Sequence, residues 1–410
     1  MTIIEFFDKS SIENIAGCLL CKPEKMILVG NNPKMLVKAA SHYESFLKSK
    51  GIETQISTIS TSKNHLGSII DALTKIVETH DDCVFDLTGG DDLYLVAVGN
   101  IMNIYGNRVQ CHRFNFRTDS LIDCDADGNT CAVGSFDISI ADNIRIYGGE
   151  LVTDPENELY THPWDFNAEF LGDIALMWDI CKKNPRMWNN HIATLGALFD
   201  IFGEETRLSL TFNVQKASLL LPENNVKYFF VDWIMEELHK CGLLTVLFTN
   251  DSEISFCFKN EQIKRTLTVS GQILELLIAS RLLLLREADG SQIYHEVMVG
   301  AVIDWDPMDD DSARTLNEID VIAMKGTLPI FISCKNGMFD ANELYKLNTV
   351  ATRFGNKYSK KILTSTELAR LGARSESVRI RMENMGIRSI DNIAKMSTHD
   401  LDRILKSLWI

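Results

Sequence analysis

No window of this 410-residue sequence approaches the roughly 18 uninterrupted apolar residues of a membrane-spanning helix, so no helical span is expected. The start, Met1-Thr2-Ile3-Ile4-Glu5, lacks the basic, apolar and small-residue succession of a secretory signal. Paired cysteines at zinc spacing are absent as well. Ten cysteines are dispersed along the chain, and Cys18-Leu19-Leu20-Cys21 has neither a partner pair nor a nearby histidine at ligand spacing. Buried free thiols in a cytosolic protein are the expectation. Neither a GxGxxG fingerprint nor a Walker loop occurs, which speaks against a dinucleotide or nucleoside-triphosphate site. Positive charge is also short: 41 Lys and Arg face 56 Asp and Glu, and the net −15 argues against broad adhesion to nucleic acid.

What is present is an ordinary globular composition, 45% hydrophobic and 24% charged, long enough for two or three domains. The first 116 residues alternate between apolar strands and amphipathic helices. Strands are expected over Thr2–Phe7, Met26–Gly30, Thr54–Ile59, Val84–Leu87 and Val109–Phe114, with helices over Met35–Lys48, Leu66–Thr79 and Leu93–Tyr105. Such alternation predicts a doubly wound, mostly parallel sheet with helices on both faces, whose ligands sit beyond the carboxyl ends of the strands. Two strand ends there carry suitable loops, Gly30-Asn31-Asn32-Pro33 and Asp86-Leu87-Thr88-Gly89-Gly90-Asp91-Asp92. Glycines allow close backbone approach, and a helix start supplies unpaired N–H groups. Tight turns with Asn and Asp as helix caps read the same way.

From Leu151 to about residue 262 the texture changes. Helices are expected over Trp164–Lys182, Asn190–Phe202 and Lys227–Lys240, the last followed by a hairpin of Leu243–Phe248 and Ile254–Phe258. A helix followed by a short hairpin is a winged-helix pattern. The helix before this hairpin carries Asp232, Glu236 and Glu237, so a structural or dimerising linker is favoured over a DNA reader.

The chemistry concentrates near the C-terminus. Asn317-Glu318-Ile319-Asp320-Val321 ends one apolar strand, a turn follows at Lys325-Gly326-Thr327, and Ile332-Ser333-Cys334-Lys335 ends the next. In a hairpin with alternating side chains, Glu318, Asp320, Ser333 and Lys335 share one face and one end. Carboxylates beside a lysine suit phosphodiester hydrolysis with Mg²⁺ or Mn²⁺, although solvated hairpin residues give the same spacing. From Lys335 onward the chain carries 14 Lys and Arg against 8 Asp and Glu, including Arg353, Lys357, Lys360, Lys361, Arg374, Arg379 and Arg381. That suits a phosphate-binding groove or a solvated surface. His295 on the preceding strand is a candidate auxiliary base. The acidic run Asp304-Trp305-Asp306-Pro307-Met308-Asp309-Asp310-Asp311 reads as a solvated loop or a gate.

The hairpin resembles the D…(D/E)xK signature of the PD-(D/E)xK nuclease superfamily, with Ser333 where the second acid usually stands. The surrounding order resembles that core too: a helix from Gly271 carrying Glu275, strands over Gln292–Asp304 and the hairpin, a helix over Ala341–Phe354, a strand over Lys360–Thr364 and a basic helix over Val378–Met385. The N-terminal alternation with its Thr-Gly-Gly strand end resembles a CARF (CRISPR-associated Rossmann fold) domain. Together the modules, 1–150, 151–262 and 263–410, resemble the CARF–nuclease effectors of type III CRISPR defence. The resemblance implies an α/β fold with a Rossmann-like CARF domain, a winged-helix-like linker and a restriction-endonuclease-like domain. It implies a homodimer activated by cyclic oligoadenylate, typically cyclic tetra-adenylate, that cleaves DNA or RNA. The ligand positions carried over are Asp8, Ser10, Ser11, Gly30, Asn31, Asn32, Thr88, Gly89, Gly90, Asp91 and Asp92. Glu275, Asp320 and the backbone carbonyl of Cys334 would hold Mn²⁺ or Mg²⁺, with Lys335 acting on the water and Glu318 or Ser333 filling the remaining position. The alternative is a ligand-sensing winged-helix regulator with an inert nuclease fold.

Overall fold

Short runs rich in β-branched and apolar residues form five parallel strands at the N-terminus: β1 (Thr2–Phe6), β2 (Lys25–Gly30), β3 (Gln55–Ser60), β4 (Cys83–Asp86) and β5 (Val109–Asn115). The computed structural model describes all residues except 125–129, 134–135, 205–206, 225, 306, 308–313, 338, 369–373 and 410. The spatial order is β3-β2-β1-β4-β5, so the chain winds outward from β1 and then reverses to the other side of it. The reversal lies between β1 and β4, where a doubly wound sheet opens its crevice. Helices α1 (Ala16–Cys21) and α2 (Pro33–Ser49) pack on one face, and α3 (Leu66–Thr79) and α4 (Asp92–Tyr105) on the other. An antiparallel pair, β6 (Ser120–Asp123) and β7 (Thr130–Val133), extends the sheet beyond β5. This pair was not anticipated, because strands of four residues carry almost no periodicity.

A short helix α5 (Ile140–Ile146) leads to the two-residue strand β8 (Glu150–Leu151). The middle of the chain then runs α6 (Ala168–Cys181), α7 (Pro185–Phe202), β9 (Ser209–Asn213), α8 (Val214–Glu223), α9 (Asp232–Lys240), β10 (Leu244–Thr249) and β11 (Glu253–Phe258). The three strands form an antiparallel sheet in the order β10-β11-β9. Helix α9 begins five residues later than the sequence suggests. Residues 227–231 are held open instead by side chains of α7: the Thr194 hydroxyl accepts from the Phe229 N–H at 3.1 Å, and His191 Nδ1 accepts from the Val231 N–H at 3.1 Å. Satisfied in this way, an aromatic and β-branched stretch has no need of helical bonds.

The last part contains α10 (Glu261–Thr266), α11 (Gln272–Leu284), β12 (Glu296–Asp304), β13 (Leu316–Lys325), β14 (Leu328–Lys335), α12 (Asn342–Phe354), β15 (Lys360–Ser365), α13 (Arg374–Asn384), β16 (Ile387–Ile390) and α14 (Thr398–Lys406). Its six-stranded sheet runs β16-β15-β14-β13-β12-β8, with β8 donated from before the middle segment. One apolar core joins the middle helices to α11 and one side of this sheet. A second joins α1, α2 and α5 to its other side, through Ile303, Ile322, Phe331, Leu344 and Phe354. The N-terminal sheet layer and the C-terminal sheet thus share a continuous interior. Most of the acidic run, residues 306 and 308–311, lies outside the described residues.

Candidate active site and ligand cleft

Strands β13 and β14 pair with Val321 opposite Ile332, which sets Asp320 beside Ser333 on the face also carrying Glu318 and Lys335. Gly300 of β12, at φ +60, stands across from Asp320 between the Val299–Val321 and Ala301–Ile319 pairs. A Cβ there would come within 3.4 Å of Glu318 Oε1. Three donors then converge on one oxygen of Asp320. Its Oδ2 accepts from the Cys334 N–H at 2.6 Å, the Ser333 hydroxyl at 3.1 Å and Lys335 Nζ at 3.3 Å. Among the described residues Oδ1 has no protein partner.

A cleft of about 350 Å³ opens over this face, lined by Asn317, Glu318, Asp320, Ser333, Lys335, Glu343 and Lys346 among others. Glu275 comes from the first turn of α11, half-buried, and accepts from Gln272 Nε2 at 2.8 Å. It does not line the cleft itself, yet it stands close enough to feel the same charges. Burial first, then Asp320 and Glu318, push its carboxyl well above the ordinary range. Glu318 is raised by desolvation and by Asp320. Burial alone would lower Lys335, but the charge of Asp320 and the bond to Glu343 overcome it, so its pKa is raised. The lysine is therefore a fixed positive charge at neutral pH. Crowded acids around one cation are short of positive charge, a condition that a divalent ion relieves.

Among the described residues no three His, Cys, Asp or Glu side chains form a ready metal cluster. A hard cation that keeps several waters needs fewer protein ligands. Two carboxylates, Asp320 and Glu275, with the Cys334 carbonyl supply oxygen donors of the right chemistry. Ser333 spends its proton on Asp320.

Glu343 and Lys346 were missed by the sequence reading. Their signal was available: an acid in the first turn of the helix that follows the motif lysine, with a lysine one turn later. The downstream cations lie elsewhere. Lys357 pairs with Glu13 at 3.3 Å, Lys360 sits over the Trp409 ring, Lys361 donates to Asn348 Oδ1 at 2.8 Å and Arg379 approaches Asp391 at 3.5 Å. Among the described residues the cations lining the cleft are Lys335 and Lys346. His295 is not on its wall either, and its Nε2 meets the Ile138 carbonyl at 3.0 Å.

A second cleft, about 470 Å³, lies at the carboxyl ends of β1, β2 and β4, around the reversal of strand order. Its wall includes Asp8, Gly30, Asn31, Asn32, Gly90, Asp91 and Asp92 from the expected set. Phe7, Lys9, Met35, Lys63 and Tyr94 line it too. Lys63 follows β3, and applying the strand-end rule to that third strand would have found it. Asn32 caps α2, its side chain accepting from the Met35 N–H at 3.3 Å, and Asp91 caps α4. Lys63 stands 3.2 Å from Asp91. Ser10, Ser11, Thr88 and Gly89 lie beside the cleft rather than on its wall. Thr88 turns inward, its hydroxyl donating to Asp86 Oδ1 and accepting from the Phe114 N–H at 2.6 Å. Gly90 has φ +97, and a Cβ there would come within 2.5 Å of Phe6 Cβ. Its bareness is demanded by the packing of β1.

No family model and no curated protein matches this chain. Solved structures do. The chain has the fold of protein VC1899 from Vibrio cholerae, with a TM-score of 0.71 at 18% identity, over 100% of this chain and 97% of that one. It has the same likeness to Can2 from Sulfobacillus thermosulfidooxidans, determined in complex with cyclic tetra-adenylate, with a TM-score of 0.66 at 14% identity over 100% and 99% of the two chains. At these identities what is shared is the fold. It extends through both clefts and the middle segment, and no helix among the described residues is long and apolar enough to cross a membrane.

Proposed function

We propose that this protein is a metal-dependent endonuclease of type III CRISPR defence, switched on by a cyclic oligoadenylate, with cyclic tetra-adenylate as the activator to test first. The observation that carries the proposal is the junction at Asp320, where Ser333, the Cys334 N–H and Lys335 meet beneath a cleft that also holds Glu318. The whole-chain fold shared with Can2, solved with cyclic tetra-adenylate, supports the sensing half. In this reading residues 1–150 form the CARF domain, 151–262 a winged-helix-like linker and 263–410 the PD-(D/E)xK domain. Two protomers pair so that each offers Asn31, Asn32, Lys63 and Gly90 to one half of the anionic ring, an isologous arrangement.

At the cutting site Asp320, Glu275 and the Cys334 carbonyl would hold Mn²⁺ or Mg²⁺. The ion supplies charge neutralisation and a more acidic bound water. Lys335, kept charged by Asp320 and Glu343, orients the attacking oxygen and stabilises negative charge developing on the phosphate rather than removing a proton. Lys346 at the cleft wall offers a contact for the nucleic-acid backbone. Ser333 completes the shell through its bond to Asp320.

One observation favours a second reading. Ser333 donates to Asp320 where an acid would offer an oxygen, which suits a ligand-sensing regulator with an inert nuclease fold. The acidic first turn of α9, with Asp232, speaks against DNA reading by the middle segment. Incubation with Mn²⁺ and labelled single- and double-stranded DNA and RNA, with and without cyclic tetra-adenylate, separates the two. Ligand-stimulated cleavage is expected. Tight ligand binding with no cleavage of any substrate would favour the regulator.

A further inference from the structure

The lysine of the cutting cleft is held by a helix whose far end is anchored against the sensor half of the chain. Glu343 stands in the first turn of α12, with Oε2 2.8 Å from Lys335 Nζ. The helix runs 13 residues, roughly 20 Å, to Phe354. There the Phe354 carbonyl accepts from Asn143 Nδ2 of α5 at 2.8 Å in a buried bond. Three residues further, Lys357 donates to Glu13 Oε2 at 3.3 Å, and Glu13 is only 2% exposed.

Both anchors lead back to the ligand cleft. Helix α5 is tied to α2, because Lys50 donates to Asp142 and the His42 ring meets the Arg145 carbonyl. Helix α2 starts at the capping Asn32, on the cleft wall. Glu13 sits beside Asn14, whose side chain accepts from the Asp8 N–H at 2.7 Å and donates to the Asp8 carbonyl at 2.8 Å. Asp8 is also on that wall. Two independent routes therefore join the first cleft to the C-terminal end of α12. Tightly packed helices shift as units rather than stretching, so a displacement at one end of α12 arrives at the other.

We infer that α12 carries the occupancy of the sensor cleft to Lys335 within one protomer, with Glu343 as the positioning residue. The inference rests on the reading of the two clefts given above. A ligand can switch a distant site only by favouring one arrangement of such an element over another.

Glu13→Gln and Lys357→Met, singly and together, test this in the full-length protein. Three readouts are taken on each preparation: calorimetric affinity for cyclic tetra-adenylate, Mn²⁺-dependent cleavage with and without it, and amide hydrogen exchange over 342–354. The variants should bind the ring as wild type does and keep the unstimulated rate. Their stimulation should fall by about 5-fold or more, and the ligand-dependent change in α12 exchange seen in wild type should shrink with it. Glu343→Gln should lower kcat more than it raises KM, since Lys335 loses the nearer of its two carboxylate partners. Full stimulation in the double variant, or α12 exchange indifferent to the ligand in wild type, overturns the inference while leaving the nuclease reading intact. Ligand-dependent α12 exchange in a wild type that cleaves nothing keeps the route and sinks the nuclease. A wild type that does not bind the ring removes both.

Discussion

Lys335 lies nearer to Glu343 than to the aspartate of its own hairpin: Nζ is 2.8 Å from Glu343 Oε2 and 3.3 Å from Asp320 Oδ2. The charge of Lys335 is thus shared between β13 and α12 at the wall of the cleft. Burial of an ammonium is tolerable only with such compensation, and here two carboxylates provide it.

Asp320 is the centre of that arrangement, so Asp320→Ala should reduce Mn²⁺-dependent cleavage by on the order of 10³-fold. Far-UV circular dichroism and affinity for cyclic tetra-adenylate should be retained, because Asp320 lines a different cleft from the one at the β1–β4 crevice. Turnover of the variant at the wild-type level would remove Asp320 from the site.

Ser333 is a donor to Asp320 and only 7% exposed. Ser333→Ala should weaken Mn²⁺ affinity roughly 10-fold, the usual scale for a lost neighbour of a metal ligand. Ser333→Glu supplies the acid of the signature that the hairpin resembles and should preserve or tighten Mn²⁺ binding, measured by calorimetry. Inactive Ser333→Glu beside fully active Ser333→Ala would show that this position has no part in holding the ion.

In the ligand cleft the informative substitution is Lys63→Ala. The bareness of Gly90 is required by Phe6, so bulky replacements there unsettle the sheet before they report on the ligand. Lys63 stands on the wall, and among the described residues its ion-pair partner is Asp91. Losing one charge-assisted contact should weaken cyclic tetra-adenylate binding about 10- to 100-fold, with no change in melting temperature of the free protein. Unchanged affinity would place the ring elsewhere.

Beneath that cleft Glu5, Asp86 and His112 lie side by side on adjacent strands, and Glu5 is fully buried. Gly17 of α1 closes the space above them, and a Cβ there would fall 2.5 Å from Asp86 Oδ2. Burial, then the charge of Asp86, raises the Glu5 carboxyl well above the ordinary value. A raised folded-state value means that this group's contribution to stability is complete below the unfolded-state value and is lost as pH climbs through the folded one. Glu5→Gln should therefore flatten the fall in stability on the alkaline side and raise the melting temperature at pH 8 by at least about 2 °C. A variant with the wild-type pH profile of melting temperature would show that Glu5 carries no such burden.

Much of the architecture was legible because its signals are local. Alternating strands and helices in the first 116 residues and the hairpin ending in Lys335 follow from period and strand-end chemistry, whereas Glu275 of α11 stood out only through the resemblance to the nuclease core. The short pairs were not legible. β8 is two residues long, and β6 and β7 are four each, so their pairing depends on the sheet they join. The start of α9 was misplaced because His191 and Thr194, some 35 to 40 residues earlier, satisfy the backbone that helical bonds would otherwise use. The downstream cations were counted, but whether they line a groove or a solvated surface was left open, since partners such as those of Lys357 and Lys361 are set by tertiary packing. Glu343 was missed although its place in the first turn after the motif lysine was visible, because its pairing with Lys335 is settled only once α12 is folded against β14.

Cleavage by the wild-type protein, followed with Mn²⁺ and labelled DNA and RNA in paired reactions with and without cyclic tetra-adenylate, tests the central claim most directly. Phosphodiester cleavage should require Mn²⁺ or Mg²⁺, rise on adding the cyclic ligand and fall by on the order of 10³-fold in Asp320→Ala. Cleavage unaffected by the ligand, or undiminished in Asp320→Ala, would contradict the claim.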